Sequence, residues 1–128
     1  MMQPGSAERV LVVLVEDDAD LADVTQAALE HFGVNVAVAH DGLEGLDLID
    51  KLRPQVIVTD LVMPVLDGLE LIRRHSARPQ PRAPVIAVSA VGTRLRAARD
   101  LGAAEVFLKP VPPEDLLRSV LKAARRET

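Results

Sequence analysis

The chain predicts an α/β fold, a doubly wound parallel sheet with helices on both faces. Three observations carry that expectation. Five apolar runs of strand length alternate with five stretches of helical period. Four of those runs end at once in a charged or hydroxyl side chain, as strands of an open parallel sheet do when they present chemistry at their carboxyl ends. Glycine and proline punctuate the joints, so each element has a place to stop.

The first strand spans residues 10–15 and runs into Glu16-Asp17-Asp18. Leu21, Val24, Ala28, Leu29 and Phe32 then follow helical spacing, with Asp18 or Asp20 as N-cap and Gly33 as terminator. Residues 34–39 form a second apolar run without a charged tip, and Leu43, Leu46, Ile49 and Leu52 mark a helix that ends before Pro54. The third strand, 56–59, runs into Asp60. Leu69, Leu71 and Ile72 mark a short helix closed by the proline-rich stretch from Pro79 to Pro84. The fourth strand, 85–88, runs into Ser89, and Leu95, Ala98 and Leu101 mark a brief helix ending at Gly102. Residues 106–108 run into Lys109-Pro110. Leu116, Leu117, Val120, Leu121 and Ala124 mark the last helix, begun after Pro112-Pro113. Alternation of this kind implies right-handed crossovers.

Acids, a lone Asp, a hydroxyl and a lysine would therefore meet on one sheet edge. A carboxylate attacks phosphorus only when its own charge and that of the incoming group are offset, and neighbouring acids supply the offset by binding Mg²⁺, which prefers oxygen ligands. Taken alone, Glu16-Asp17-Asp18 reads as a cap cluster at a strand-to-helix turn. Beside Asp60, three mutually repelling acids read better as a cation sink. Lys109 is the natural counter-charge for Asp60, and Ser89 a natural hydroxyl donor to a phosphoryl oxygen. Each alone would be an ordinary surface lysine or loop hydroxyl. Pro110 directly after Lys109 fixes where the lysine side chain starts.

The set resembles the receiver domain of two-component response regulators. The motifs that carry the resemblance are Leu14-Val15-Glu16-Asp17-Asp18, the segment from Asp60 through Met63-Pro64 to Asp67-Gly68, Ser89-Ala90, Gly102-Ala103 and Lys109-Pro110. Each is weak alone; in this order, across a chain of this length, they are specific. The resemblance implies a flavodoxin-like sheet of five strands in the order 2-1-3-4-5, with five helices, over residues 9–126, and a flexible lead-in over 1–8. It implies that Asp60 is the phosphoacceptor, with Lys109 and Ser89 as its partners. Asp17 and Asp60 would bind Mg²⁺ directly, Glu16 through water, and Val62 through its backbone carbonyl, while Asp18 would cap the helix. It also implies a cis Lys109–Pro110 bond. The switch positions are Ser89 and Val106, and at the latter the family generally carries Tyr or Phe. A histidine kinase or a histidine phosphotransfer protein would donate the phosphoryl group, and a downstream protein would bind the face of helix 4, strand 5 and helix 5. Val62 and Val91 would flank the path of a hydrolytic water.

Composition narrows the classes. With 48% hydrophobic residues the chain can bury one core and has no room for a second domain, which predicts a receiver and nothing more. Without cysteine there is no disulfide framework and no thiolate metal site. The longest apolar runs are strand-sized, which predicts no membrane insertion and, with the resemblance, a cytoplasmic protein that is monomeric or weakly dimeric. Residues 1–60 carry 12 acids and 3 bases, and 61–128 carry 7 acids and 12 bases, so charge is unevenly placed within a net −4. Arg94, Arg96, Arg99, Arg118, Lys122, Arg125 and Arg126 make the late helices basic. Without an aromatic stacking platform, that basic character predicts a protein docking surface rather than direct contact with nucleic acid. His31, His40 and His75 have no partner at ligand spacing.

Rival functions fail at named positions. A haloacid-dehalogenase-like phosphatase needs a second acid two residues after its Asp nucleophile, where this chain has Val62, so the expectation is a signalling phosphoacceptor rather than an enzyme. A dinucleotide-binding turn would need glycines where residues 16–18 are acidic and would repel a pyrophosphate. A phosphorylation-independent adaptor with the receiver fold remains, supported by the non-aromatic Val106.

Overall fold

The computed structural model describes residues 10–126, with no side-chain description for Arg126; the expected lead-in, 1–8, lies outside them. The chain alternates β1 (Leu11–Val15), α1 (Ala19–His31), β2 (Asn35–Ala39), α2 (Gly42–Leu52), β3 (Val56–Asp60), α3 (Gly68–Ser76), β4 (Val85–Ser89), α4 (Gly92–Asp100), β5 (Glu105–Leu108) and α5 (Pro113–Arg126). The strands form one sheet in the order β2-β1-β3-β4-β5. All four pairings are parallel. The fold is therefore the flavodoxin-like doubly wound sheet that the sequence implied.

Period-two alternation divides the core. Val13, Val15, Ile57, Val85 and Ala87 face one layer with Leu46 and Ile49 of α2, Leu71 and Ile72 of α3, and Leu95 and Ala98 of α4. Val12, Leu14, Val56, Val58, Ile86 and Val88 face the other with Leu29 of α1 and Leu116, Val120 and Ala123 of α5. Because parallel strands are covered on both faces, they read as unbroken apolar runs. Val106 joins the first layer and Phe107 the second, as strand alternation requires.

Asp18, Asp41 and Asp67 each accept a hydrogen bond from a backbone N–H three residues on, capping α1, α2 and α3. Of the two expected caps for α1, Asp18 is the one used. Two apolar stripes differ from the spacing read in the sequence. On α1 it is Ala22 and Leu29 that are buried, whereas Val24 is 62% and Phe32 54% exposed. On α2, Leu43 and Leu52 are exposed, and the buried face is Gly42, Gly45, Leu46 and Ile49. A Cβ on Gly45 would stand 2.8 Å from Val15 Cγ2, so the helix rests on its glycines and turns its flanking leucines outward. Strand ends also move: Asp60 and Ser89 are the last residues of β3 and β4 rather than the first beyond them, since Asp60 still pairs in register with Val88 and Ser89 with Leu108.

Candidate functional site: an acidic pocket at the carboxyl edge of the sheet

Strand order brings β1 beside β3, so the turn after Val15 and the end of β3 share one edge at the point where the winding reverses. Glu16, Asp17 and Asp60 converge there, each offering one carboxylate oxygen, with these oxygens all within 4.8 Å of one another. Glu16 and Asp60 are buried, at 6% and 9% exposure, so their mutual repulsion is poorly screened by solvent.

Lys109 supplies the local counter-charge. Its Nζ donates to Asp60 Oδ2 and to Glu16 Oε1, both at 3.1 Å. Asp60 Oδ1 accepts from Leu61 N–H at 2.7 Å and more weakly from Val62 N–H at 3.4 Å. Glu16 Oε2 accepts from Asp18 N–H at 3.1 Å. Burial raises the Glu16 pKa, and the neighbouring Asp60 charge adds to the rise against the opposing Asp18 N–H and Lys109. Burial pulls the Lys109 ammonium down, but its bonds to Asp60 and Glu16 outweigh that and leave it above the ordinary lysine value.

Ser89 is fully buried. Its Oγ accepts from Val91 N–H at 3.1 Å, and its carbonyl accepts from Lys109 N–H at 2.9 Å, which ties β4 to the lysine strand. The Lys109–Pro110 bond is cis, as is Gln80–Pro81. Val62 and Val91, 48% and 42% exposed, stand at the loops after Asp60 and Ser89. Val106 is half-buried within the core layer of α2, α3 and α4.

Two supports escaped sequence reading. Gly68, read only as part of a turn, lies so close to the Asp60 carbonyl that a Cβ there would collide with its oxygen, and Gly68 N–H donates to the Leu61 carbonyl at 3.0 Å. The Asp-Gly pair was a signal for a turn but not for this contact. The second is a cavity of about 440 Å³ beside the acids, walled by Leu14, Leu21, Thr25, Val58, Val88 and Leu116. Its lining comes from residues far apart in sequence, so no local pattern announced it.

Three carboxylates against one ammonium make an all-oxygen, net anionic donor set, which suits a hard divalent cation of the Mg²⁺ type. The three acids therefore fit the metal that the sequence implied.

The chain belongs to the response regulator receiver domain family, whose model matches residues 12–121. It is 36% identical over 119 residues to the response regulator MprA of Mycobacterium tuberculosis, covering 91% of this chain and 51% of that protein. The chain thus spans about half the length of the curated relatives it matches. Among solved structures it is similar to the receiver domain of the Francisella response regulator 1452, at 29% identity and a TM-score of 0.87 over 94% of this chain and 100% of that one. It is also similar to the receiver domain of sensor histidine kinase PA1611 from Pseudomonas aeruginosa, described with a magnesium ion coordinated in the active site cleft, at 26% identity and a TM-score of 0.83 over 91% and 98%. Receiver domains act as phosphoacceptors in two-component signalling, and this chain has the fold of that family. Among the described residues no helix is long and apolar enough to cross a membrane.

Proposed function

We propose that Asp60 accepts a phosphoryl group from the phosphohistidine of a histidine kinase or a histidine phosphotransfer protein, and that the product changes binding to a downstream protein. The observation that carries this reading is the double hydrogen bond of Lys109 Nζ, at 3.1 Å to both Asp60 and Glu16, inside the three-acid cluster. An oxygen of the Asp60 carboxylate forms the new bond to phosphorus as the phosphorus–nitrogen bond of the donor breaks, and the donor imidazole departs with the electron pair. Lys109 then exchanges its bond with the free carboxylate for one with a phosphoryl oxygen, so its charge stays paired throughout. The Leu61 and Val62 N–H groups hold the acceptor carboxylate in place. Ser89 donates its hydroxyl hydrogen to another phosphoryl oxygen, which its acceptor role toward Val91 N–H leaves free to do.

Asp17 and Asp60 would hold Mg²⁺ directly, Glu16 through water, and the Val62 carbonyl would add a further oxygen. When bound, the ion offsets negative charge as the phosphoryl group arrives. Both Glu16 oxygens already accept hydrogen bonds, which favours an outer role for that residue.

The partner surface is the face of α4, β5 and α5. Arg94, Arg96 and Arg118 lie there with Leu108, which is 58% exposed, and fit an acidic protein partner. The protein works in the cytoplasm as a monomer or weak dimer, and this domain does not itself contact nucleic acid. Val106 at the switch position gives Ser89 no aromatic partner to exchange with; an adaptor that ignores phosphorylation is the second reading this residue favours.

Incubation with a small phosphodonor and Mg²⁺, followed by intact-mass measurement, separates the two. Wild type and Asp67→Ala gain one phosphoryl mass and Asp60→Ala gains none; labelling that persists in Asp60→Ala overturns the assignment.

A further inference from the structure

A second pocket lies at the opposite edge of the sheet. Its volume is about 590 Å³, and it is bounded by the end of α2, the end of α3 and the proline-rich loop before β4. Pro54 precedes β3 and Ala83 precedes β4, so it opens at the amino ends of strands whose carboxyl ends carry Asp60 and Ser89. A five-residue strand separates the two edges by roughly 16 Å.

Three guanidinium groups, from Arg53, Arg78 and Arg82, line this pocket against a single acid, Asp50. Arg78 Nη1 meets Asp50 Oδ1 at 2.8 Å, and Arg82 Nη1 donates to the Arg78 carbonyl at 2.8 Å, each using part of a five-donor fork. Arg53 sits in the left-handed region at φ 49, as the C-cap of α2, and next to Pro54. Pro79 and Pro81 restrict the rim, so little ordering remains to be done on binding. Ile49, Pro54 and Ala83 make the rest of the wall apolar, and His75 completes it. His75 Nε2 donates to the Ala83 carbonyl at 2.8 Å, which leaves Nδ1 as a buried lone pair with no partner among the described residues.

We infer that this pocket binds a small phosphate monoester, its phosphate held by Arg53 and Arg82 and its organic part against the apolar wall. Donor geometry, more than net charge, selects the ligand. Two helix C-termini converge on the site and each adds about half a negative charge. With Asp50, they leave a modest positive balance, and the two guanidinium forks make the difference: a phosphoryl group has oxygens enough for both Arg53 and Arg82, whereas one carboxylate fills a single fork. The mixed wall and the volume fit an organic ester better than a bare ion. No residue of this pocket belongs to the phosphoacceptor site, and the inference stands whether or not Asp60 is phosphorylated.

The test is an amide chemical-shift titration of the full chain with ribose 5-phosphate, with inorganic phosphate, acetate and a short polyglutamate peptide as comparisons. Shifts confined to residues 49–54 and 75–84 are expected for ribose 5-phosphate. At least tenfold weaker binding is expected for acetate and for the exposed-site variant Arg53→Gln, and a comparable loss for Arg82→Gln. Mass labelling of Asp60 should be unchanged in both variants. Shifts centred on Asp60 and Lys109, an affinity indifferent to both substitutions, equal binding of inorganic phosphate, or tighter binding of the peptide would each overturn the inference.

Discussion

Lys109 Nζ stands 3.1 Å from Asp60 Oδ2 and equally far from Glu16 Oε1, so two buried carboxylates that β1 and β3 bring together share one ammonium. Removing it strands both charges. Lys109→Met should destabilise the protein by roughly 1–3 kcal/mol in chelator, less than a fully buried pair would because the lysine is partly exposed. Saturating Mg²⁺ should recover most of that loss, since a divalent ion replaces the missing charge. Thermal unfolding of wild type and variant, with and without Mg²⁺, reads the effect; equal Mg²⁺ responses would contradict it.

Gly68 and Gly92 each open a helix, but of the two only Gly68 is packed against the end of β3 that carries Asp60. A Cβ at Gly68 would strike the Asp60 carbonyl, whereas at Gly92 nothing lies within 4 Å. Gly68→Ala should cost about 2–4 kcal/mol and, on the proposed role of Asp60, slow its labelling, because the backbone that carries Asp60 must shift. Gly92→Ala should be neutral or stabilise by up to about 1 kcal/mol through the unfolded chain. Urea unfolding of the two variants side by side checks the contrast.

Val65 holds a positive φ of 70 and is 73% exposed, an arrangement that costs a β-branched residue without any burial in return. Val65→Gly should stabilise the protein by up to about 1 kcal/mol, since Val65 is the centre of a tight turn closed by Leu66 N–H to the Pro64 carbonyl and glycine takes its positive φ without a Cβ clash. A urea midpoint that falls instead would mean the valine makes an interaction worth more than its strain.

Burial depresses the pKa of His75 below the ordinary histidine value, so the folded protein resists protonating it while the unfolded chain does not. Its contribution is complete above about pH 6.5, the unfolded value, and is lost as pH falls through the depressed folded value. Wild type should therefore lose more stability than His75→Gln between pH 7.5 and pH 5. Parallel pH dependences in the two proteins would remove His75 as the cause.

Val62 and Val91 are about half exposed at the mouth of the site, and neither can hold a water by a hydrogen bond. Phosphorylated Asp60 should accordingly be long-lived. Val62→Asn with Val91→Glu should speed its decay by roughly tenfold for each polar group that comes to hold the attacking water, about 1.4 kcal/mol in barrier, while leaving acceptance of the phosphoryl group unchanged. Decay is followed by intact mass after donor removal.

Strand and helix alternation was legible in the chain alone, and the ends of its apolar runs named the side chains that reach the carboxyl edge: Glu16, Asp17, Asp60, Ser89 and Lys109. Both were legible because strand period, caps and the residue after a buried strand are local properties of the chain. The strand order 2-1-3-4-5 followed from resemblance, and the register pairing Asp60 with Val88 appears only when the strands are laid side by side. Tertiary structure alone decided that Lys109 bridges two carboxylates, that Gly68 lies against Asp60, and that α2 packs through Gly42 and Gly45 with Leu43 and Leu52 outside. Each depends on distances between residues far apart in the chain, where helix spacing says which residues share a face but not which face meets the sheet. The pocket around Arg53, Arg78 and Arg82 arises the same way, from two helix ends and a loop whose common neighbourhood no single segment encodes.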